Sequence, residues 1–238
     1  MSCSRIASFV YLLTLASLLQ TAFGLRHNCS DTGSFSAGDP YEANLKQLIE
    51  YLSNQTPQTG FGRRAIGQNQ NRVYGLALCR GDVSSEDCKT CVVRAGNEIR
   101  QLCPYKKGAI HWYDYCLVKY SNIHFFGQID NQNKLYLVNP NTVSEAYSRQ
   151  TEGLLSLLAN EASADPSSLY ASGEIQVSGS AKIYGLTQCT RDLSSSDCKK
   201  CLDRIIDELP KCCNRLAGGR VISGSCNFRY ESFPFVKA

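Results

Sequence analysis

The stretch that decides the fold is "CTRDLSSSDCKKC", Cys189 to Cys201, in which Cys189, Cys198 and Cys201 stand at C-x8-C-x2-C spacing. Thiols placed this way either hold a zinc ion or enter a disulfide framework, and the two readings imply different compartments. The motif occurs twice. "CRGDVSSEDCKTC", Cys79 to Cys91, lies 110 residues earlier, and the same offset relates Cys103 to Cys213 and Cys116 to Cys226. Outside the cysteines, "VYGL" (Val73 to Leu76) returns as "IYGL" (Ile183 to Leu186), and Tyr120 returns as Tyr230. A period of this length is too long for a solenoid and matches a duplicated domain of roughly a hundred residues.

The N-terminus settles the redox question. "MSCSRIASFVYLLTLASLLQTAFG" has one positive charge, Arg5, an apolar run from Ile6 to Leu19, and the small residues of "AFG" where a signal peptidase inspects the chain. Residues 1–24 are therefore expected to be a secretory signal peptide; a buried N-terminal helix is the alternative. Its removal takes Cys3 away and leaves twelve of the thirteen cysteines, an even number in an oxidising compartment. Zinc would need two half-sites with converging ligands, and each repeat has a single C-x2-C. The reading is a disulfide knot, with no metal.

Composition narrows the rest. Loss of Arg5 lowers the formal charge from +4 to +3, and the longest basic runs are Lys106-Lys107 and Lys199-Lys200, which make no nucleic-acid stripe. No other segment has the ~18 apolar residues of a membrane span, so a soluble, released protein is expected. Asn28-Cys29-Ser30 and Asn54-Gln55-Thr56 match the glycosylation pattern. Catalysis finds no support. The imidazoles are His27, His111 and His124, none with a matching nucleophile, and there is neither a phosphate-binding glycine loop nor a paired-carboxylate signature. A non-enzyme without cofactor is expected.

Each repeat reads as helix, strand, helix, strands. "DPYEANLKQLIEYL" begins with Asp39 as cap, Pro40 at the first helical position and Glu42 completing a capping box. Tyr41, Leu45, Leu48, Ile49 and Leu52 then fall on one helical face, and "EGLLSLLANEA" is its counterpart. "RVYGLALC" and "KIYGLTQC" are strands. The helices after them start at Ser84 and Ser194, with Asp87 and Asp197 three residues on. Their apolar faces carry Cys88, Cys91, Ala95, Ile99 and Leu102 in one copy, and Cys198, Cys201, Leu202, Ile205 and Leu209 in the other. "HWYDYCLVKYS" and "GRVISGSCNFRYES" supply further strand sequence. The fold class is α+β, with helices on one face of an antiparallel sheet. The domains are expected at residues 25–130 and 131–238, packed side by side through a joining stretch at about 131–143.

These residues carry a resemblance. Two C-x8-C-x2-C domains behind a signal peptide, the first closed by "YSNIHFFG" and the second by "CNFRYESFPF", resemble a plant cysteine-rich repeat secretory protein with two DUF26 (ginkbilobin-2-homologous) domains. The resemblance implies a five-stranded antiparallel sheet against two helices in each domain. It also implies the bridges Cys29–Cys103, Cys79–Cys88, Cys91–Cys116, Cys189–Cys198 and Cys201–Cys226. The offset of 110 maps Cys29 onto Asn139, which leaves Cys213 without its partner and beside an extra Cys212. Three states are open for that pair: a vicinal disulfide, two free thiols, or a link to another chain.

The founding member of that family is an antifungal seed protein that binds mannose through an Asn directly after the first cysteine, an Arg seven residues after the fourth, and a Glu five after the last. In the first domain these positions hold Ser30, Ile110 and Ser121, so that site is expected to be dead. In the second they hold Arg220 and Glu231, with Asn139 or Asn141 as the nearest amide. A guanidinium that donates and a carboxylate that accepts suit a sugar hydroxyl. The alternative is an Arg220–Glu231 surface ion pair across adjacent strands. The resemblance thus implies a secreted protein of the plant apoplast, with a mannose-type glycan as ligand and a role in defence, antifungal in the founding member. The other reading is an interaction module whose partner is a receptor ectodomain or another family member.

Overall fold

The computed structural model describes residues 25–237; the signal peptide read over residues 1–24, with Cys3, lies outside the described residues. The first repeat is a five-stranded antiparallel sheet of β1 (Arg26–Cys29), β2 (Phe61–Ile66), β3 (Val73–Cys79), β4 (Gly108–Trp112) and β5 (Cys116–Ser121), in the order β1-β4-β5-β3-β2. Helices α1 (Pro40–Thr59) and α2 (Ser85–Leu102) cover one face. The second repeat has the same plan. Its strands β6 (Leu135–Thr142), β7 (Tyr170–Ser178), β8 (Ala181–Cys189), β9 (Leu216–Ile222) and β10 (Cys226–Glu231) run in the order β6-β9-β10-β8-β7, under α3 (Glu145–Ala164), α4 (Ser195–Ile206) and the single turn α5 (Leu209–Cys212).

Local chemistry explains the helix ends. Ser84 and Ser194 accept hydrogen bonds from the N–H groups of Asp87 and Asp197, each at 3.1 Å, and satisfy donors that the first turn leaves open. At α1 the capping box does not form. The Asp39 carboxylate instead accepts from the Ser36 N–H (3.2 Å), and Glu42 reaches one residue further back to the Gly38 N–H (2.8 Å). Gly60, at φ 79°, ends α1 in the left-handed region and returns its N–H to the Thr56 carbonyl.

Three sequence expectations need correction. Leu102 is exposed, as the last residue of α2. Leu209 lies beyond the end of α4 at Ile206, in α5, where Pro210 opens a separate turn. The two stretches read as single strands each fold back on themselves, at Tyr113-Asp114-Tyr115 and at Ser223-Gly224-Ser225. The joining stretch itself holds β6, an edge strand of the second sheet.

Alternation along the strands sorts their side chains into two layers. Ala109, Val118 and Tyr120 face the helices of the first repeat, as Val221, Phe228 and Tyr230 do in the second. The alternate residues Leu76, Leu78, Ile110, Trp112 and Leu117 point the other way and pack with Leu135 and Ile222 of the second repeat. The two sheets therefore meet through their helix-free faces. Trp112 donates from its indole to the Ser223 carbonyl (3.3 Å), and the Gln188 amide donates to the Cys79 carbonyl (3.0 Å).

The sulfur atoms are joined as Cys29–Cys103, Cys79–Cys88, Cys91–Cys116, Cys189–Cys198, Cys201–Cys226 and Cys212–Cys213. Among the described residues no cluster of His, Cys, Asp or Glu is arranged to hold a metal, and no helix is long and apolar enough to cross a membrane.

Candidate functional site

Asn139, Arg220 and Glu231 converge on the helix-free face of the second sheet. The register of β6 explains why. In the first repeat Cys29 pairs with Ala109 and Asn28 with Ile110; in the second, Val138 pairs with Gly219 and Leu137 with Arg220. Ala109 and Ile110 correspond to Gly219 and Arg220, so the structural counterpart of Cys29 is Val138, and Asn139 corresponds to Ser30. The offset that holds for the other cysteines slips by one residue at this strand. Asn139 thus occupies the position directly after the missing first cysteine. Asn141 does not: it lies within the bulge between Asn139 and Thr142 and donates its N–H to Asn139 Oδ1 (3.2 Å).

Gly218 lies opposite Asn139 in the register, and a Cβ there would strike the Glu231 carboxylate and stand 3.1 Å from Asn139 Cβ. Glycine lets the carboxylate lie against the strand beside the amide. Arg220 sits two residues along β9 on the same face, its side chain only 10% exposed. Arg220 and Glu231 do not pair with each other. Glu231 accepts from Arg229 at 3.1 Å, whereas Arg220 donates to Asp114 Oδ1 at 2.7 Å, across the boundary between repeats.

Asp114 is the residue that sequence reasoning missed. It stands at the tip of the β4–β5 turn, and Arg220, Arg229 (3.4 Å) and Arg80 (3.5 Å) gather around it. Arg80 is also held by Asp82, whose carboxyl burial would raise; bonds and charge from Arg80 outweigh that and keep it below the usual carboxylate range. Burial, reinforced by the charges of Arg229 and Arg80, pulls Arg220 down to about 10, against the attraction of Asp114. The guanidinium therefore keeps its proton at neutral pH. Of Asn139, Arg220 and Glu231, two have a buried polar atom without a partner within the protein, the Arg220 Nε–H and Glu231 Oε2. One is a donor and the other an acceptor, and buried groups of either kind are costly to leave unmatched.

The three residues open onto a cleft of about 830 Å³ between the repeats. Its near wall holds Asn139, Arg220, Glu231 and the exposed Phe233; its far wall holds Asp87, Thr90 and Arg94 of α2 with the turn around Asp114.

The first repeat shows what happens to the same place when it is used for packing. Ser30, Gly108 and Ser121 repeat the layout, with the Ser30 N–H bonded to the Gly108 carbonyl (2.8 Å) and Gly108 opposite Ser121. The position of Arg220 is taken by Ile110, 2% exposed and packed against Leu135 and Ile222. That arginine position has become part of the core between the repeats.

Comparison with known proteins identifies the family and the fold. The family described as salt stress response/antifungal matches residues 28–123 and again residues 133–233. The chain belongs to this DUF26 family. It is similar to an antimicrobial ginkbilobin-2-like protein of Castanea crenata, 52% identical over 239 residues and 99% of both chains. It is also similar to cysteine-rich repeat secretory protein 38 of Arabidopsis thaliana, 51% identical over 94% of this chain and 90% of that one. The cysteine-rich receptor-like protein kinase 25 of the same plant is 40% identical over 98% of this chain but only 36% of its own length. Among solved structures, the tandem DUF26 ectodomain of the Arabidopsis thaliana cysteine-rich receptor-like protein PDLP8 superposes with a TM-score of 0.78, at 25% identity, over 89% of this chain and 99% of that one. The two five-stranded sheets are the tandem fold of the family, whose relatives here are secretory proteins, a receptor-like ectodomain and a receptor-like kinase of which this chain spans about a third.

Proposed function

We propose that the protein is a secreted, lectin-like defence protein of the plant apoplast that binds a mannose-type sugar through Asn139, Arg220 and Glu231. One observation carries the reading: the register of β6 brings Asn139 beside Glu231, and both residues line the cleft together with Arg220. A sugar hydroxyl accepts from the guanidinium and donates to the carboxylate, and a neighbouring hydroxyl bonds to the carboxamide of Asn139. Hydrogen bonds to charged groups contribute about 1.5–3 kcal/mol each, enough to hold a small polar ligand weakly and in one orientation. Asp114 contributes by holding Arg220, so the site needs both repeats.

Calorimetric titration of the oxidised protein with mannose tests this. Saturable binding is expected, weakened about tenfold or more by Asn139→Ala and by Glu231→Gln. Binding that neither substitution changes would place the ligand elsewhere.

A second reading rests on the similarity to a receptor-like kinase and to a receptor-like ectodomain. In it the chain is an extracellular module whose partner is a receptor ectodomain or another family member. Absence of any sugar response at millimolar mannose would favour it.

A further inference from the structure

The cleft is too large for one sugar. A hexose has about twelve heavy atoms; at roughly half of the ~30 Å³ that a water occupies in the liquid, these fill roughly 180 Å³. A cleft of about 830 Å³ could hold roughly four such units, and its volume lies in the upper part of the ~300–1,000 Å³ range of small-molecule sites. The candidate sugar residues occupy only the wall formed by the second repeat. The opposite wall is a polar stripe on α2, Asp87, Thr90 and Arg94, which stand at i, i+3 and i+7 and so share one helical face.

The charges of the cleft point to a neutral ligand. Asp87 pairs with Lys237 at 2.7 Å, Arg94 with Glu98 at 2.9 Å, Arg229 with Glu231 at 3.1 Å and Arg220 with Asp114 at 2.7 Å. Every charged side chain lining the cleft thus has its counter-charge already. A peptide or an anionic polymer would have to break these pairs, whereas a hydroxyl-rich chain can bond to their outward lone pairs and protons. Phe233, 47% exposed within the cleft, offers an apolar ring face of the kind that covers the C–H side of a sugar.

Building on the proposed sugar site, we infer that the cleft takes a neutral mannose-type oligosaccharide of roughly three to four units, laid from Asn139 and Glu231 across to α2 of the first repeat. Thr90 is exposed on α2 of the first repeat and is not among the candidate mannose contacts of the second, so a bulky side chain there should block the α2 end of the cleft.

The test titrates the oxidised full-length mature chain with mannose, mannotriose and mannopentaose. Affinity should rise at least tenfold from mannose to mannotriose and level off by mannopentaose. Thr90→Trp should abolish that rise while leaving mannose affinity within twofold. If mannose binds and the longer chains bind no tighter, the extended cleft is wrong and the mannose site stands. If Thr90→Trp keeps the full rise, the chain runs another way and the inference is likewise overturned. If no sugar binds at all, the mannose reading itself fails, and this inference with it.

Discussion

Replacing Asp114 by Asn removes one charge and leaves the turn its shape and an acceptor. In the native protein that carboxylate is the counter-charge of Arg220 at 2.7 Å, with Arg229 and Arg80 at 3.4 and 3.5 Å. Without it three guanidinium groups stand together around a neutral amide, one of them buried and still protonated at neutral pH. Removing one partner of a fully buried pair costs roughly 3–5 kcal/mol. Asp114 is 46% exposed, so water screens the pair and the expected loss is about 1–3 kcal/mol. The assay is urea unfolding of the oxidised protein, arranged as a double-mutant cycle with Arg220→Met. An apolar residue is reasonable there because the first repeat buries Ile110 at the same place. In the Arg220→Met background Asp114→Asn should cost under about 1 kcal/mol, the remainder coming from Arg229 and Arg80, and so less than in the native background. Equal losses in both backgrounds would refute the claim that Asp114 holds Arg220 across the boundary between repeats.

Other predictions follow from the packing and the bridges. Trp112 is the single tryptophan and is 2% exposed between the sheets, so Trp112→Ala should cost about 3–5 kcal/mol, read as a lower urea midpoint. In the native protein its fluorescence and far-UV circular dichroism should change together if the repeats unfold as one unit. Removing Cys29–Cys103, which spans 74 residues, should cost about 4 kcal/mol by loop entropy, whereas Cys212–Cys213 closes almost no loop and its double Ser variant should unfold within about 1 kcal/mol of the parent. Adjacent cysteines are also the pair that mild reductant should open first, checked by alkylation and peptide mapping; labelling of Cys189 or Cys201 ahead of them would contradict this. Asp82 and Asp130 keep carboxyl groups below the usual range because Arg80 and Lys119 outweigh the effect of burial. Their stabilisation is complete above the unfolded carboxylate range near pH 4 and is lost as pH falls through the lower folded values, so melting temperature should drop as pH falls below about 4.

The helices were legible because their apolar spacing and Ser caps act locally; Leu45, Leu48 and Leu52 announce α1 without help from the rest of the fold. The edge strands were harder to read. β2 and β7 are largely exposed, so Arg63-Arg64 and Ser172-Gly173-Glu174 give no clean alternation. The turn at Asp114 was hidden inside an aromatic run that reads as continuous strand, "HWYDYCLVKYS". Arg220 and Glu231 could be found by counting from cysteines because their anchors survive in the second repeat. The amide was ambiguous because its anchor does not: with Cys29 replaced by Val138, only strand pairing reveals the one-residue slip that selects Asn139 over Asn141. No local signal could have found Asp114 as the partner of Arg220, since the two lie 106 residues apart and meet only when the helix-free faces close on each other.

The most direct test of the account is a titration of isotope-labelled, oxidised protein with mannose, followed by amide shifts in a nitrogen–proton correlation spectrum. The account predicts fast, saturable shifts centred on Asn139, Gly218, Arg220 and Glu231, with Asp114 following because Arg220 is its partner, and quiet signals at Ser30, Gly108 and Ser121 of the first repeat. Shifts centred on those first-repeat positions, or scattered over the surface without saturation, would contradict it.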